Sequence, residues 1–167
     1  MSTETLETQP AETPALSDYE IEREKPMPSE SHGITQANLI GEVLKDKRFR
    51  PISELRVLLP SGKPYIPDIC VYPRMPKDFT QDVSERTDPP LSTVEIYSLQ
   101  QGYNAVMEKV NAYHAWGVKT CWVVDPYQRT ITIFPAAGLG SPQTFIYGQM
   151  AEDPVSGLKA DLGEVFS

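Results

Sequence analysis

The chain has 167 residues, about one domain's length, with 40% hydrophobic residues, 23% charged residues and a formal net charge of -8. No apolar run approaches the ~20 residues of a membrane span, which excludes a helical membrane protein. The acidity opposes general affinity for nucleic acid, because such binding depends on Lys and Arg neutralising phosphates, so any such role needs a local basic patch or a bound cation.

From Met1 to Ser17 the sequence is rich in Thr, Glu, Pro and Ser with almost no large apolar residues. Such a segment cannot repay the entropy of ordering and is expected to be a disordered tail, with the folded domain running from residue 18 to 167. Much of the acidic excess lies in this tail and in the following DYEIERE, so the folded body is less acidic than the whole. The start has no basic region followed by an apolar segment, and a cytoplasmic location is expected.

Between Ser31 and Arg48, Ile34, Ala37, Leu39, Ile40, Val43 and Leu44 recur at the period of an amphipathic helix, with Ser29 or Ser31 as its cap. Its end, KDKRFR, reads as a solvated helix terminus and also as a candidate phosphate contact. The runs ISELRVLL and YIPDICVYP, separated by PSGKP, predict a hairpin, and the polar stretch from Pro76 to Pro90 predicts a loop flanking a site. LSTVEIYS is a strand, followed by a helix from about Asn104 to Trp116 closed by Gly117. TCWVVDP is nearly continuous in apolar residues, as a central strand is. A helix between two strands implies a right-handed crossover and parallel pairing of 91–98 with 120–125. TITIF and TFIYG then add antiparallel edge strands, giving a mixed α/β fold. Cys70 and Cys121 lie in strand-like runs without metal or redox spacing and read as buried thiols.

Two carboxylates sit inside apolar strands: Asp68 in YIPDICVY and Glu95 in LSTVEIYS. Burying a carboxylate without a partner costs several kcal/mol, so each needs a salt bridge, hydrogen bonds or a metal. A pair on neighbouring strands suits a hard cation such as Mg²⁺. Lys109 falls three residues after Val106 and four before Tyr113, on the apolar stripe of its helix, and points toward the sheet, while Glu108 faces elsewhere. A buried ion-pair network would account for these three residues equally well. A cation, two acids and a lysine also suit phosphodiester hydrolysis, the metal polarising the phosphate and Lys stabilising developing charge.

Strand-borne Pro67-Asp68, then Glu95-Ile96-Tyr97-Ser98, helical Lys109 with Tyr113, and Trp122-Val123-Val124-Asp125-Pro126 together resemble the Uma-type endonuclease family of the PD-(D/E)XK nuclease superfamily. The segment DYEIEREKPMPSESHG is similar to that family's N-terminal signature, with Glu20, Glu22 and His32 as its polar residues. The resemblance implies a restriction-endonuclease-like mixed sheet flanked by helices. It also implies Mg²⁺ or Mn²⁺ held by Asp68 and Glu95, and catalytic roles for Asp68, Glu95, Lys109, Glu22, His32 and Tyr113. In the superfamily pattern the lysine stands two residues after the second acid. Tyr97 occupies that position here and Lys109 replaces it, while Leu99 stands where the family often has proline.

The function so implied is metal-dependent DNA cleavage, in which a homodimer would serve both strands. The alternative is a catalytically silent nuclease-fold module that binds or regulates as a dimer through Tyr103, Tyr113 and Trp116, all read as exposed. Convergence of Asp68, Glu95 and Lys109 on an open cavity distinguishes the first from the second.

Overall fold

The computed structural model describes residues 15–23 and 27–167, so most of the expected N-terminal tail lies outside the described residues. The elements are α1 (Asp18–Arg23), α2 (Glu30–Leu44), β1 (Phe49–Ser53), β2 (Arg56–Leu58), β3 (Pro64–Tyr65), β4 (Ile69–Pro73) and β5 (Glu85–Arg86). They continue with β6 (Ser92–Ile96), α3 (Tyr103–Trp116), β7 (Thr120–Asp125), β8 (Thr130–Pro135), β9 (Gln143–Ile146), β10 (Met150–Glu152), β11 (Lys159–Asp161) and α4 (Leu162–Val165). Six strands form one mixed sheet in the order β1-β4-β6-β7-β8-β9, beside a three-stranded sheet β3-β2-β5 and the ribbon β10-β11.

Alternation along the large sheet divides its residues between two layers. Ile69, Val71, Val94, Ile96, Trp122, Val124, Ile131 and Ile133 pack with Leu39 and Val43 of α2 and Leu162 and Val165 of α4. On the other face Cys121 and Val123 meet Val106, Val110 and Tyr113 of α3, and Cys70 and Tyr72 continue the layer against Val57 and Leu59. The sheet is therefore covered on both sides, which explains why β6 is buried along its whole length.

The expected parallel pairing is present: β6 and β7 align Val94 with Trp122 and Glu95 with Val123, joined through α3. Gly117 closes α3 at φ 121, donating to the carbonyls of His114 and Tyr113, in a conformation that a side chain rarely adopts. β7, β8 and β9 run antiparallel in sequence, as the edge-strand reading requires.

The predicted hairpin exists but is bent across two sheets. β1 pairs with β4 in the large sheet, whereas β2 pairs with β3 in the small one. The bend falls at Glu54 and Asp68, where Glu54 takes φ 52 and its N–H donates to the Asp68 carbonyl at 3.2 Å. Asp68 thus lies just before β4 rather than within a strand. Residues 76–90 are not simply a loop, since β5 extends the small sheet in parallel with β2. The segment holding Glu22 is helical. The ribbon β10-β11 and α4 answer to no pattern read above; they close the α2 side of the sheet.

Candidate functional site

The register of β4 and β6 brings the two acids together. Ile69 stands opposite Val94 in an antiparallel pair, so one step back along β4 and one step forward along β6 sets Asp68 opposite Glu95. Both are fully buried. Asp68 Oδ1 accepts from Arg23 Nη2 and lies 3.0 Å from His32 Nε2, and Oδ2 accepts from the Ile96 N–H at 2.7 Å. The Asp68 carbonyl accepts from Gln36 Nε2 at 2.7 Å. Glu95 Oε1 accepts from the Tyr113 hydroxyl at 2.7 Å, and Lys109 Nζ reaches the Arg23 carbonyl at 2.9 Å.

Five of the six predicted residues are therefore buried about this pair of acids: His32 on Asp68, Tyr113 on Glu95, and Lys109 through the Arg23 carbonyl. Glu22 does not join them; the residue is exposed and pairs with Arg56 at 3.0 Å. Being part of the helical segment that places Arg23 inward, it turns outward. Tyr113 is also a correction to the exposed aromatic surface, being wholly buried with its ring edge-on to Tyr65 at 5.5 Å. Trp116 is half-buried, its indole donating to the Thr87 carbonyl at 3.2 Å, and Tyr103 remains exposed.

Burial, then the neighbouring Glu95 charge and the hydrogen bond to it, push the Tyr113 phenol well above its ordinary value. The phenol is thus a fixed proton donor that orients Glu95. His32 Nε2 holds Asp68 in place from the first turn of α2, whose start is capped by Ser29. Arg23 lies on Asp68 and reaches Glu54, with Nε 3.0 Å from Oε2 and Nη2 3.1 Å from Oε1. Tyr19 donates to Glu54 at 2.9 Å, and burial with that bond raises its pKa to about 12.

Arg23, Gln36 and Glu54 were not singled out from the sequence. Arg23 was hidden in a run of alternating charges. Glu54 gave no signal because its role comes from a non-glycine left-handed conformation, which costs roughly 1–3 kcal/mol and is held by the partners just named.

Beside the network a cleft of ≈ 530 Å³ opens at the C-terminal ends of β6 and β7. Arg23 and His32 form its inner wall, residues 97–101 one side and residues 125–127 the other; none of its lining comes from 76–90. Asp68, Glu95 and Lys109 lie behind that wall and do not line the cleft, so the acids converge but in a closed state. The basic cluster after α2 is remote: a helix of 15 residues spans roughly 22 Å, and the cleft meets its other end. Arg48 and Lys45 are engaged by Asp46 and Glu42.

The donor set fits a hard divalent cation. Mg²⁺ is commonly held by one or two carboxylates, the remaining positions going to water and substrate phosphate. Among the described residues no group of three or more His, Cys, Asp or Glu is placed so that it could hold a metal ion by itself, and the carboxylates that the register brings together are Asp68 and Glu95. Asp68 already attracts a cation, the Arg23 guanidinium. That group would have to leave Oδ1, and Arg23 lines the cleft into which it would turn.

No curated protein matches the sequence. Among solved structures, the fold is similar to the crystal structure of a "putative nuclease belonging to DUF820" from Anabaena variabilis, with TM-score 0.69 and 22% identity over 84% of this chain and 83% of that one. The cryoEM structure of a DrdV–DNA complex aligns at TM-score 0.40 and 14% identity, over 78% of this chain but only 10% of that one. A family model covers residues 3–158, including most of the stretch expected to be a tail. The chain belongs to that family, Uma2, described as "Putative restriction endonuclease".

Proposed function

We propose that this protein is a divalent-metal-dependent DNA endonuclease that hydrolyses phosphodiester bonds. The observation that carries the reading is the buried Asp68–Glu95 pair set opposite one another, with Lys109 brought to the same network from α3. Membership of a restriction endonuclease family supports DNA as the substrate.

Asp68 and Glu95 would hold Mg²⁺ or Mn²⁺, which supplies Lewis acidity and lowers the pKa of its water. His32 and Tyr113 fix the orientation of these acids, since hydrogen bonds behind a ligand set its geometry. Lys109, buried beside the acids, would stabilise negative charge as it develops on the phosphate. Arg23 covers Asp68, and with a cation bound there it would contribute its charge from the cleft wall. The enzyme would act in the cytoplasm and, on duplex DNA, as a homodimer with one site for each strand.

Incubation of supercoiled plasmid with Mg²⁺ or Mn²⁺ tests this. Nicking that disappears in EDTA, in Asp68→Asn and in Lys109→Met is the expected result. Absence of nicking by the folded parent protein under all metal conditions would sink it. The closed state of Asp68 favours one second reading, a silent nuclease-fold module, and in that case Asp68→Asn changes stability alone.

A further inference from the structure

Among the described residues, buried side-chain polar atoms without a hydrogen-bond partner are Arg23 Nε and Nη1, His32 Nδ1, Thr93 Oγ1, Ser98 Oγ and both ends of the Gln101 amide, and all of these residues but Thr93 line one cleft. Arg23 is 1% exposed and His32 7%, so these two are interior side chains facing a cavity, while Ser98 and Gln101 are half-buried with their polar ends turned from solvent. Buried polar atoms are nearly always satisfied, so such a concentration in one cavity marks a place where a polar ligand supplies the missing bonds.

Two further features give the sign of that ligand. The N-terminal turn of α2 contributes Ser29, Ser31 and His32 to the cleft, and the start of a helix favours anions. Gln101 stands just before Gly102, the N-cap of α3, and no side chain caps that helix start. Asp125 lines the same cleft with opposing charge, but its Oδ1 is occupied by the N–H groups of Tyr127 and Gln128. Tyr127 stands 78% exposed at the rim, placed to stack on a base.

We infer that this cleft is the strand-binding subsite, in which Ser98 and Gln101 hold a backbone phosphate of a nucleic-acid strand, Arg23 and His32 face it from the inner wall, and Tyr127 stacks on the adjoining base. The inference rests on the nuclease reading for its substrate class, but binding is separable from cleavage. Crevices beyond the carboxyl ends of parallel strands are common ligand sites, and β6 and β7 are such a pair.

The test is fluorescence anisotropy of a labelled single-stranded dT6 with the full chain in EDTA at low salt. Ser98→Ala combined with Gln101→Ala is expected to weaken binding about tenfold or more, as loss of bonds to a charged group does. It should leave the melting temperature unchanged or higher, because neither group has a partner in the fold. Tyr127→Ala should weaken binding severalfold and Asp125→Asn should tighten it. The inference is overturned if the double variant binds like the parent, if inorganic phosphate saturates the cleft while dT6 does not bind, or if Asp125→Asn weakens binding. Metal-independent binding without any cleavage would leave the subsite standing and remove the nuclease reading, and cleavage unaffected by the double variant would do the reverse.

Discussion

Arg23 and Asp68 form an ion pair in which neither side chain is exposed, although 45 residues separate them in sequence. The pair ties α1 to the start of β4, and it sets a cation on the carboxylate that a metal ion would use. Removing one partner of a buried pair typically costs about 3–5 kcal/mol. Arg23→Met is therefore expected to lower the melting temperature strongly. Because the substitution also removes the guanidinium from Asp68 Oδ1 and leaves only His32 there, added Mn²⁺ should raise the melting temperature of this variant more than that of the parent. Equal metal-induced shifts in the two proteins would show that Arg23 and the metal do not compete.

Tyr113→Phe removes the hydroxyl that donates to Glu95 Oε1 at 2.7 Å and keeps the ring that packs on Tyr65. A hydrogen bond to a charged group contributes about 1.5–3 kcal/mol, and chemical denaturation should show a loss in that range. The pH dependence has a definite sign. The folded phenol is held above its unfolded value of about 10, so its contribution is complete below pH ~10 and is lost as pH rises toward the folded value. Parent stability should fall above pH ~10 more steeply than that of Tyr113→Phe. Parallel curves would mean that another group controls the alkaline limb.

The site was legible in the sequence wherever a polar residue broke a strong apolar pattern. Asp68 and Glu95 interrupt strand-like runs and Lys109 interrupts a helical stripe, so burial and partnership followed from periodicity alone. Tyr113 was found on the same stripe, though its burial was also misread as exposure when the helix was considered as a surface. What was illegible depends on chain geometry beyond local pattern. Glu54 bends the hairpin so that Asp68 leaves the strand, and this allows Arg23 from α1 and His32 from α2 to reach one oxygen. β10, β11 and α4 are short, and their identity comes from packing against α2 rather than from their own composition.

Asp153 lies at the opposite end of β6 from Glu95 and is a structural carboxylate. Its Oδ2 accepts from Ser92 at 3.2 Å, Thr120 at 2.5 Å and the Trp122 indole at 2.9 Å, and its Oδ1 accepts from the N–H groups of Val155 and Ser156. Burial pushes its pKa up, but these donors outweigh burial and hold it below the ordinary carboxylate value. A depressed folded pKa means stability that is present above the unfolded value of about 3.9 and lost as pH falls through the folded value. Urea titrations between pH ~5 and ~2 should show parent stability dropping faster than that of Asp153→Asn. Asp153→Asn should itself be destabilised at neutral pH, since its NH₂ cannot accept from Trp122 and Thr120. A variant as stable as the parent at pH ~7 would contradict this assignment.

The two cysteines distinguish a packed α3 face from one that opens to admit substrate. Cys70 and Cys121 are buried, and burial drives both thiols upward, Cys121 to about 12. The thiolate is the reactive form, so at pH ~8 neither should react with a disulfide reagent in the native protein. Both should react on unfolding. Cys121 packs with Val106, Val110 and Tyr113 on the same layer as Glu95, so its reactivity reports whether α3 lifts from the sheet. If substrate reaches Glu95 through the cleft while α3 stays in place, labelling remains negligible with metal and oligonucleotide present. Rapid labelling of Cys121 under those conditions, with Cys70 still protected, would instead require α3 to move when the site is loaded.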